Sequence, residues 1–286
     1  MQFSVGDIQV SRILEMEIPF LTPADAFPGV DLSLVESQRH WLEPNALCPE
    51  TGMLVIAIQT WVIRTPHHMI LVDTCIGCDK TNHYFENWHR RTDDSWYRKL
   101  LTAGIDPVNV DYVFCTHLHG DHCGWNTRLV DGRWVPTFPN AKYIIARKEV
   151  AHAAEQNTPA YQESVLPIME SGQVLAVDAD YALDDNVCLA PTPGHTPGHV
   201  AVHLASHGPR AVLCGDLIHS PLQCLYPEWQ YWIDHDPIQA IQTRKEFLSC
   251  RADTEDLVIT AHFPSPSVGQ VKTSSRGFYF NFLEQD

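Results

Sequence analysis

Apolar residues in this chain gather mostly into short runs bounded by Gly, Pro, Asp and Asn, which is the spacing of strands rather than of long helices. Residues 3–18 alternate loosely, as an edge strand pair does. The runs 53–58 and 61–63 read as strand, Thr65-Pro66-His67-His68 as a turn, and 69–73 as the returning strand, ending on Asp73. Val110 to Cys115 reads as a buried strand entering a tight turn. Further strands are expected over 141–146, 173–178, 186–190, 200–204, 211–214 and 257–260, with a terminal edge strand over 277–282. Helices are expected over 96–103, closed by Gly104 and Pro107, over 148–156, and over 237–250, the clearest amphipathic pattern in the chain. Strands and helices in mixed order predict a layered α/β protein. With no repeat, low-complexity tract or linker, residues 1–286 are expected to form a single domain.

Two stretches break this rhythm. Residues 19–52 are rich in Pro, acidic and aromatic residues, and Pro23, Pro28, Pro44 and Pro49 argue against a long helix. The expectation is an irregular extension on the domain surface, serving as a cap or a homodimer contact. The segment 82–96 carries Tyr84, Phe85, Trp88 and Trp96, which either pin a loop to the core or line a pocket for an apolar ligand.

Composition narrows the partners. The chain has 35 acidic against 19 basic residues and a formal charge of −16, with no local basic cluster. That disfavours nucleic acid and anionic membranes, which need basic patches to replace counterions, and leaves a small molecule as the expected partner. The most apolar stretch, 53–63, is too short to cross a bilayer, and no basic-then-apolar leader pattern opens the chain. The nine cysteines are odd in number, and Cys115, Cys188 and Cys214 sit inside strand-like runs, as reduced thiols in a cytoplasmic protein do. Cys75 and Cys78 form a C-x-x-C with no second pair, so no zinc knuckle is expected there.

The chemistry is concentrated after the 110–115 strand. Thr116-His117-Leu118-His119-Gly120-Asp121-His122 packs three imidazoles and a carboxylate into six residues, a donor set that suits zinc, iron or manganese. Three later sites share its context, each at a strand end or in a Gly/Pro turn. They are Pro193-Gly194-His195-Thr196-Pro197-Gly198-His199, Gly215-Asp216-Leu217-Ile218-His219 and Ala261-His262-Phe263-Pro264.

Taken together, the H-x-H-x-D-H string, the P-G-H-T-P-G-H turn, the G-D strand end and the late A-H resemble the metallo-β-lactamase superfamily, in order and separation, from about residue 53 to 282. The resemblance implies an αββα four-layer sandwich with the metals at one edge of its sheets. It implies that His117, His119 and His195 hold one divalent ion and Asp121, His122 and His262 another, with Asp216 bridging. Zinc is the first expectation, with iron, manganese or cobalt as alternatives. Asp73 would support a ligand imidazole, and His199 would bond the turn instead of a metal. The other histidines, His152 and His235 among them, show no ligand spacing.

Departures sharpen the placement. Exported class B β-lactamases commonly carry Cys where this chain has Asp216. The tail is short for glyoxalase II, no flavodoxin domain follows as in flavodiiron proteins, and the charge does not suit the family's nucleases. The A-H-F-P ending and the segment after Asp216 look closest to N-acyl-homoserine lactonases and methyl-parathion-type hydrolases. Where many lactonases carry Tyr three residues after the bridging Asp, this chain has His219, and Cys75 replaces a usual Gly. The implied activity is hydrolysis of a lactone or neutral ester by a metal-bridging hydroxide. Asp121 would relay a proton to the leaving group, and His219 would steady the oxyanion. Phosphotriesterase, arylesterase or thioesterase activity on the same site is the alternative, with an iron-dependent oxidase or dioxygenase behind it.

Overall fold

A computed structural model describes residues 1–284 and resolves the strand pattern into two stacked sheets. The first lays Gln2–Val5, Ile8–Leu21, Leu54–Arg64, Met69–Val72, Tyr112–Phe114, Lys142–Ala146 and Val174–Val177 side by side in chain order. Its opening joins are antiparallel, and from Met69–Val72 onward the strands pair in parallel. The second sheet lays Val187–Pro191, Val200–Ala205, Arg210–Leu213, Leu257–Ile259, Val268–Thr273 and Phe278–Phe282 in chain order. There Arg210–Leu213 pairs in parallel with Leu257–Ile259, and the other joins are antiparallel. A parallel join needs a long crossover, and the helices Ser95–Thr102, Arg147–Gln156 and Pro237–Arg251 fall within such connections.

Alternation along each strand builds the layers. In Leu54–Arg64, Ile56, Ile58 and Val62 pack with Trp96, Leu100 and Ile168 on the helix side, whereas Trp61 and Ile63 face the other sheet. The second sheet mirrors this: Val200, Val202 and Leu213 meet the first sheet, while Ala201, Val212 and Val258 pack with Phe247 and Leu248 of the long helix. The result is the αββα sandwich. Because both faces of a central strand are covered, such strands read as continuous apolar runs.

Several expectations change. The runs 53–58 and 61–63 are one strand, in which Gln59 stays buried because its Nε2 donates to the carbonyls of Thr260 (3.2 Å) and Ala261 (3.0 Å). The first hairpin continues through Pro19 to Leu21, so the extension begins later than residue 19. It is not irregular either. Pro23–Ala26, Leu32–Glu36 and Arg39–Leu42 are short helices, the first two capped by Thr22 and Asp31. Proline at the first helical turn is tolerated, which is why Pro23 does not forbid a helix. Phe27, Leu42 and Leu47 form a small core with Leu222, Tyr226 and Trp229, so the segment is docked through buried apolar residues. The Pro237–Arg251 helix is less cleanly amphipathic than its sequence suggested, because Arg244 lies on the buried face with Ala240, Phe247 and Leu248. A hairpin joining Thr127–Val130 to Arg133–Pro136 was missed, although its Asp131-Gly132 turn, both residues at positive φ, is a standard hairpin signal.

Among the described residues no helix is long and apolar enough to cross a membrane. All nine cysteines are free thiols.

Candidate metal centre

Parallel pairing decides where the polar loops gather. Met69–Val72 and Tyr112–Phe114 run in the same direction, so Asp73 and the 116–122 turn leave the first sheet at the same edge. Arg210–Leu213 and Leu257–Ile259 do likewise in the second sheet, bringing Asp216 and His262 together. The 192–199 turn follows Val187–Pro191. Crevices beyond the carboxyl ends of strands are where α/β sheets bind ligands.

All seven residues expected to hold metal converge there. His117, His119, His195 and Asp216 present donor atoms within 4.8 Å of one another, and so do Asp121, His122 and His262. His119 Nδ1 lies 3.0 Å from both His117 Nε2 and His195 Nε2, and His122 Nε2 lies 3.1 Å from His262 Nε2. Asp216 stands between the groups. Its Oδ1 is 3.0 Å from His122 Nε2 and from His262 Nε2, and its Oδ2 is 3.3 Å from His195 Nε2 and 3.6 Å from His117 Nε2. Asp121 is set further out, 3.6 Å from His262 Nε2.

The far nitrogen of most of these rings is tied down. His262 Nδ1 donates to the Ala57 carbonyl at 3.0 Å, His122 Nδ1 meets Asp73 Oδ2 at 2.8 Å, and His195 Nδ1 meets Asp234 Oδ1 at 2.9 Å. His117 Nδ1 lies 3.2 Å from Thr116 Oγ1. A ring that donates through Nδ1 turns a lone pair on Nε2 toward the centre. Lone pairs of several imidazoles then point at one another and at Asp216 Oδ1, a buried oxygen without a hydrogen-bond donor among the described residues. Such an arrangement is repulsive without a positive charge in its middle. Imidazole and carboxylate donors converging in this way fit divalent metal ions.

The electrostatics show the same demand. Burial opposes charge on His122, but Asp216, Asp121 and Asp73 outweigh it and hold its pKa well above the usual histidine range. Burial likewise opposes charge on His195, whose contacts with Asp216 and Asp234 raise it to about 9. His117 and His119, with burial as the main cause, are held well below. Buried carboxylates thus pull positive charge onto whichever ring can supply it.

Supporting residues complete the frame. Asp73 accepts from Thr116 N and Thr116 Oγ1, each at 2.8 Å, as well as facing His122, and so braces two turns. His199 faces no metal group. Its Nδ1 donates to the Thr192 carbonyl at 3.1 Å and its Nε2 accepts from Asp216 N at 3.0 Å, and burial holds its pKa at about 3. Gly215 lies at φ +51°, where a Cβ would come within 2.6 Å of His199 Nε2, so that turn needs glycine. His219 stacks on Tyr231 with ring centroids 3.5 Å apart, and its Nε2 sits 3.2 Å from Asp216 Oδ2.

Sequence reasoning missed Glu149, Tyr231, Asp234 and Arg244. Asp234 Oδ2 accepts from Tyr231 N at 2.8 Å and lies 3.6 Å from Arg244 Nη2. Arg244 in turn donates to the carbonyls of Leu217, Pro227 and Trp229 at 2.8, 3.1 and 2.8 Å, fixing the 217–234 loop. The one available signal was an arginine on the core face of a helix, since a buried guanidinium requires partners.

The centre opens into a cleft of about 400 Å³. Phe85 and Trp88 from the 82–96 segment line it, as expected of a pocket loop, while Trp96 is buried in the core against Trp125. Of residues 19–52 only Phe20 lines the cleft, and it belongs to the Ile8–Leu21 strand. Tyr231, Trp232 and Ile233 supply the opposite wall, and His152 and His235 line it too.

Two stacked sheets between helical layers, with a His/Asp centre at the strand ends, define an αββα metal-site protein. The chain belongs to the metallo-beta-lactamase superfamily, whose family model matches residues 55–262. N-acyl homoserine lactonases from Bacillus cereus and from a Bacillus species are 26% and 31% identical to it over 164 residues, in both cases 53% of this chain and 60% of the relative. The chain therefore spans about 60% of the length of these curated relatives. The crystal structure of the hydrolase AbOPH, of the beta lactamase superfamily, superposes with a TM-score of 0.82 at 22% identity, covering 100% of this chain and 97% of that one. The structure of AidC, a dizinc quorum-quenching lactonase in complex with a product, gives 0.79 at 21% identity, covering 99% and 98%. At such identities the likeness speaks for the fold.

Proposed function

We propose that this protein is a hydrolase that holds two divalent metal ions, zinc in the first instance, and opens a lactone or a related neutral ester. The observation that carries the reading is Asp216, whose two oxygens face different imidazole groups, Oδ1 toward His122 and His262 and Oδ2 toward His117 and His195. On this reading His117, His119 and His195 would hold one ion and Asp121, His122 and His262 the other, with Asp216 contributing to each. Such a pair of ions supplies a water deprotonated near neutral pH and polarises the carbonyl under attack.

The chain's own side chains do the rest. Among the described residues no lysine or arginine lines the cleft, so a neutral substrate suits it better than an anionic one. Phe85, Trp88 and Trp232 form an apolar wall that orients the substrate's hydrocarbon part and keeps water from it. His219, which burial holds at about 4, is neutral at pH 7 and donates a hydrogen bond to the developing oxyanion. Asp121, at the edge of the centre, relays the proton released by the attacking water to the departing alkoxide. The nine free thiols support a reducing, cytoplasmic setting. The relatives' lactonase names support the lactone over other esters. The same cleft, with no lysine or arginine in its lining among the described residues, also suits aryl esters and phosphotriesters, which belong in the same substrate panel.

The test is metal analysis of the purified protein alongside hydrolysis of a panel of acyl-homoserine lactones, aryl esters, thioesters and phosphotriesters, with and without oxygen. The reading expects two metal ions per chain, oxygen-independent lactone opening and its loss in His117→Ala. A protein with less than one ion per chain, whose hydrolysis survives that substitution, overturns it.

A further inference from the structure

Among the described residues Glu149 is the one carboxylate that touches both turns of the three-imidazole group without facing an imidazole itself. It sits in the first turn of the Arg147–Gln156 helix and is 2% exposed. Its Oε1 accepts from Leu118 N at 3.0 Å, the amide between His117 and His119. Its Oε2 accepts from Thr196 Oγ1 at 2.7 Å and from Gly198 N at 3.1 Å, on either side of Pro197 in the turn that carries His195. The contact is close enough to dictate sequence: a Cβ on Gly198 would lie 2.2 Å from Glu149 N.

We propose that Glu149 is a positioning residue that holds the His117–His119 turn and the His195 turn in register, and thereby sets the metal affinity of that group alone. The inference rests on the two-ion reading above. Three donors on two separate loops share one buried side chain, and each would be left without an acceptor inside the protein if that carboxylate were lost. Removing the carboxylate therefore frees the loops to move apart. The imidazoles they carry must converge to within a few tenths of an ångström to hold an ion. The other group is braced differently, through Asp73 behind His122 and the Ala57 carbonyl behind His262, and Glu149 touches neither. Sequence offered no hint, since Arg147-Lys148-Glu149 reads as an ordinary charged helix start.

Glu149→Gln keeps the volume but puts an amide N–H against at least one of the three donors. Wild type and variant are loaded with cobalt(II) or zinc, dialysed against a graded chelator series and assayed for metal per chain. Histidine N–H signals shifted by cobalt identify which group keeps its ion. The expected result is two ions in wild type, and a variant in which one ion is released at about 10–100-fold lower chelator strength while the His122 and His262 signals persist. A merely structural role would lower the melting temperature of the metal-free protein and weaken both ions together. Equal weakening of both, or no change in either, overturns the inference. Fewer than two ions in wild type overturns the two-ion reading itself, and is seen before any variant is made.

Discussion

The two imidazole groups that meet at Asp216 share the 116–122 turn but are braced by different parts of the chain, and the contrast explains how such a centre is assembled. His122 and His262 are braced by residues of the first sheet, Asp73 at the end of Met69–Val72 and the Ala57 carbonyl within Leu54–Arg64. Strand backbone is rigid, so this group inherits its precision from the sandwich. His117, His119 and His195 are braced by side chains from helices and loops instead, with Asp234 held by Arg244 behind His195 and Glu149 across both turns. Loops have to be fixed by dedicated hydrogen bonds. A site half built on sheet and half on braced loops concentrates its vulnerability in the second half.

The contrast can be broken most directly at the shared residue. Asp216→Ala should empty both groups and lower hydrolysis by more than about 100-fold, beyond what loss of an outer partner costs. Metal analysis and a lactone-opening assay check this, and one retained ion would show that Asp216 serves a single group. The next test separates the halves. Asp234→Asn should weaken the three-imidazole group by about 10–100-fold and spare the other, because an amide has only one acceptor oxygen and cannot hold both His195 Nδ1 and Tyr231 N. Asp73→Asn should act on His122 and, through Thr116, on His117 as well, so both ions should weaken. Chelator titrations should therefore show one weakened ion in Asp234→Asn and two in Asp73→Asn.

A smaller effect belongs to the cleft wall. Trp232 is carried by the same loop as Asp234, and Trp232→Ala should remove about 1 kcal/mol of substrate contact, about fivefold in KM, with little change in kcat. A comparable fall in kcat would mean that the loop had shifted His195 too.

A separate prediction concerns stability rather than activity. Lys80 Nζ donates to Thr127 Oγ1 at 2.6 Å and to the Glu163 carbonyl at 3.0 Å, lies over the Trp134 ring, and burial lowers its pKa from 10.5 to about 7. Between about pH 7 and 10.5 the unfolded chain binds a proton that the folded chain does not, so stability should rise with pH through that window and flatten below it. Lys80→Met should remove this rise, as denaturant unfolding at pH 7, 8.5 and 10 would show.

Much of the layered fold was legible because period-2 alternation marks which face of a strand is covered, as at Ile56, Ile58, Trp61 and Ile63. The docked segment after Leu21 was not, because helices of four or five residues leave no periodicity to read. The seven residues facing the centre were legible because dense imidazoles and carboxylates in short turns signal a metal, and because the order and separation of those turns resemble a known superfamily. Their braces escaped notice for the opposite reason. Glu149, Asp234 and Arg244 are common surface residues by type, and only burial distinguishes them.

The sequence by itself determined the donor inventory, a layered α/β plan and an excess of acidic residues, since these depend on residue type, periodicity and net charge, while the αββα arrangement was implied only by the family resemblance. The tertiary structure decided which oxygen of Asp216 faces which imidazoles, which nitrogen of each ring is tied, and that Tyr231 to His235 form a wall of the cleft. Those features depend on hydrogen bonds between atoms about 3 Å apart on segments up to 205 residues apart, as between Ala57 and His262. Local pattern fixes the face a side chain occupies, but the meeting of distant loops is set by strand pairing and packing across the whole sandwich.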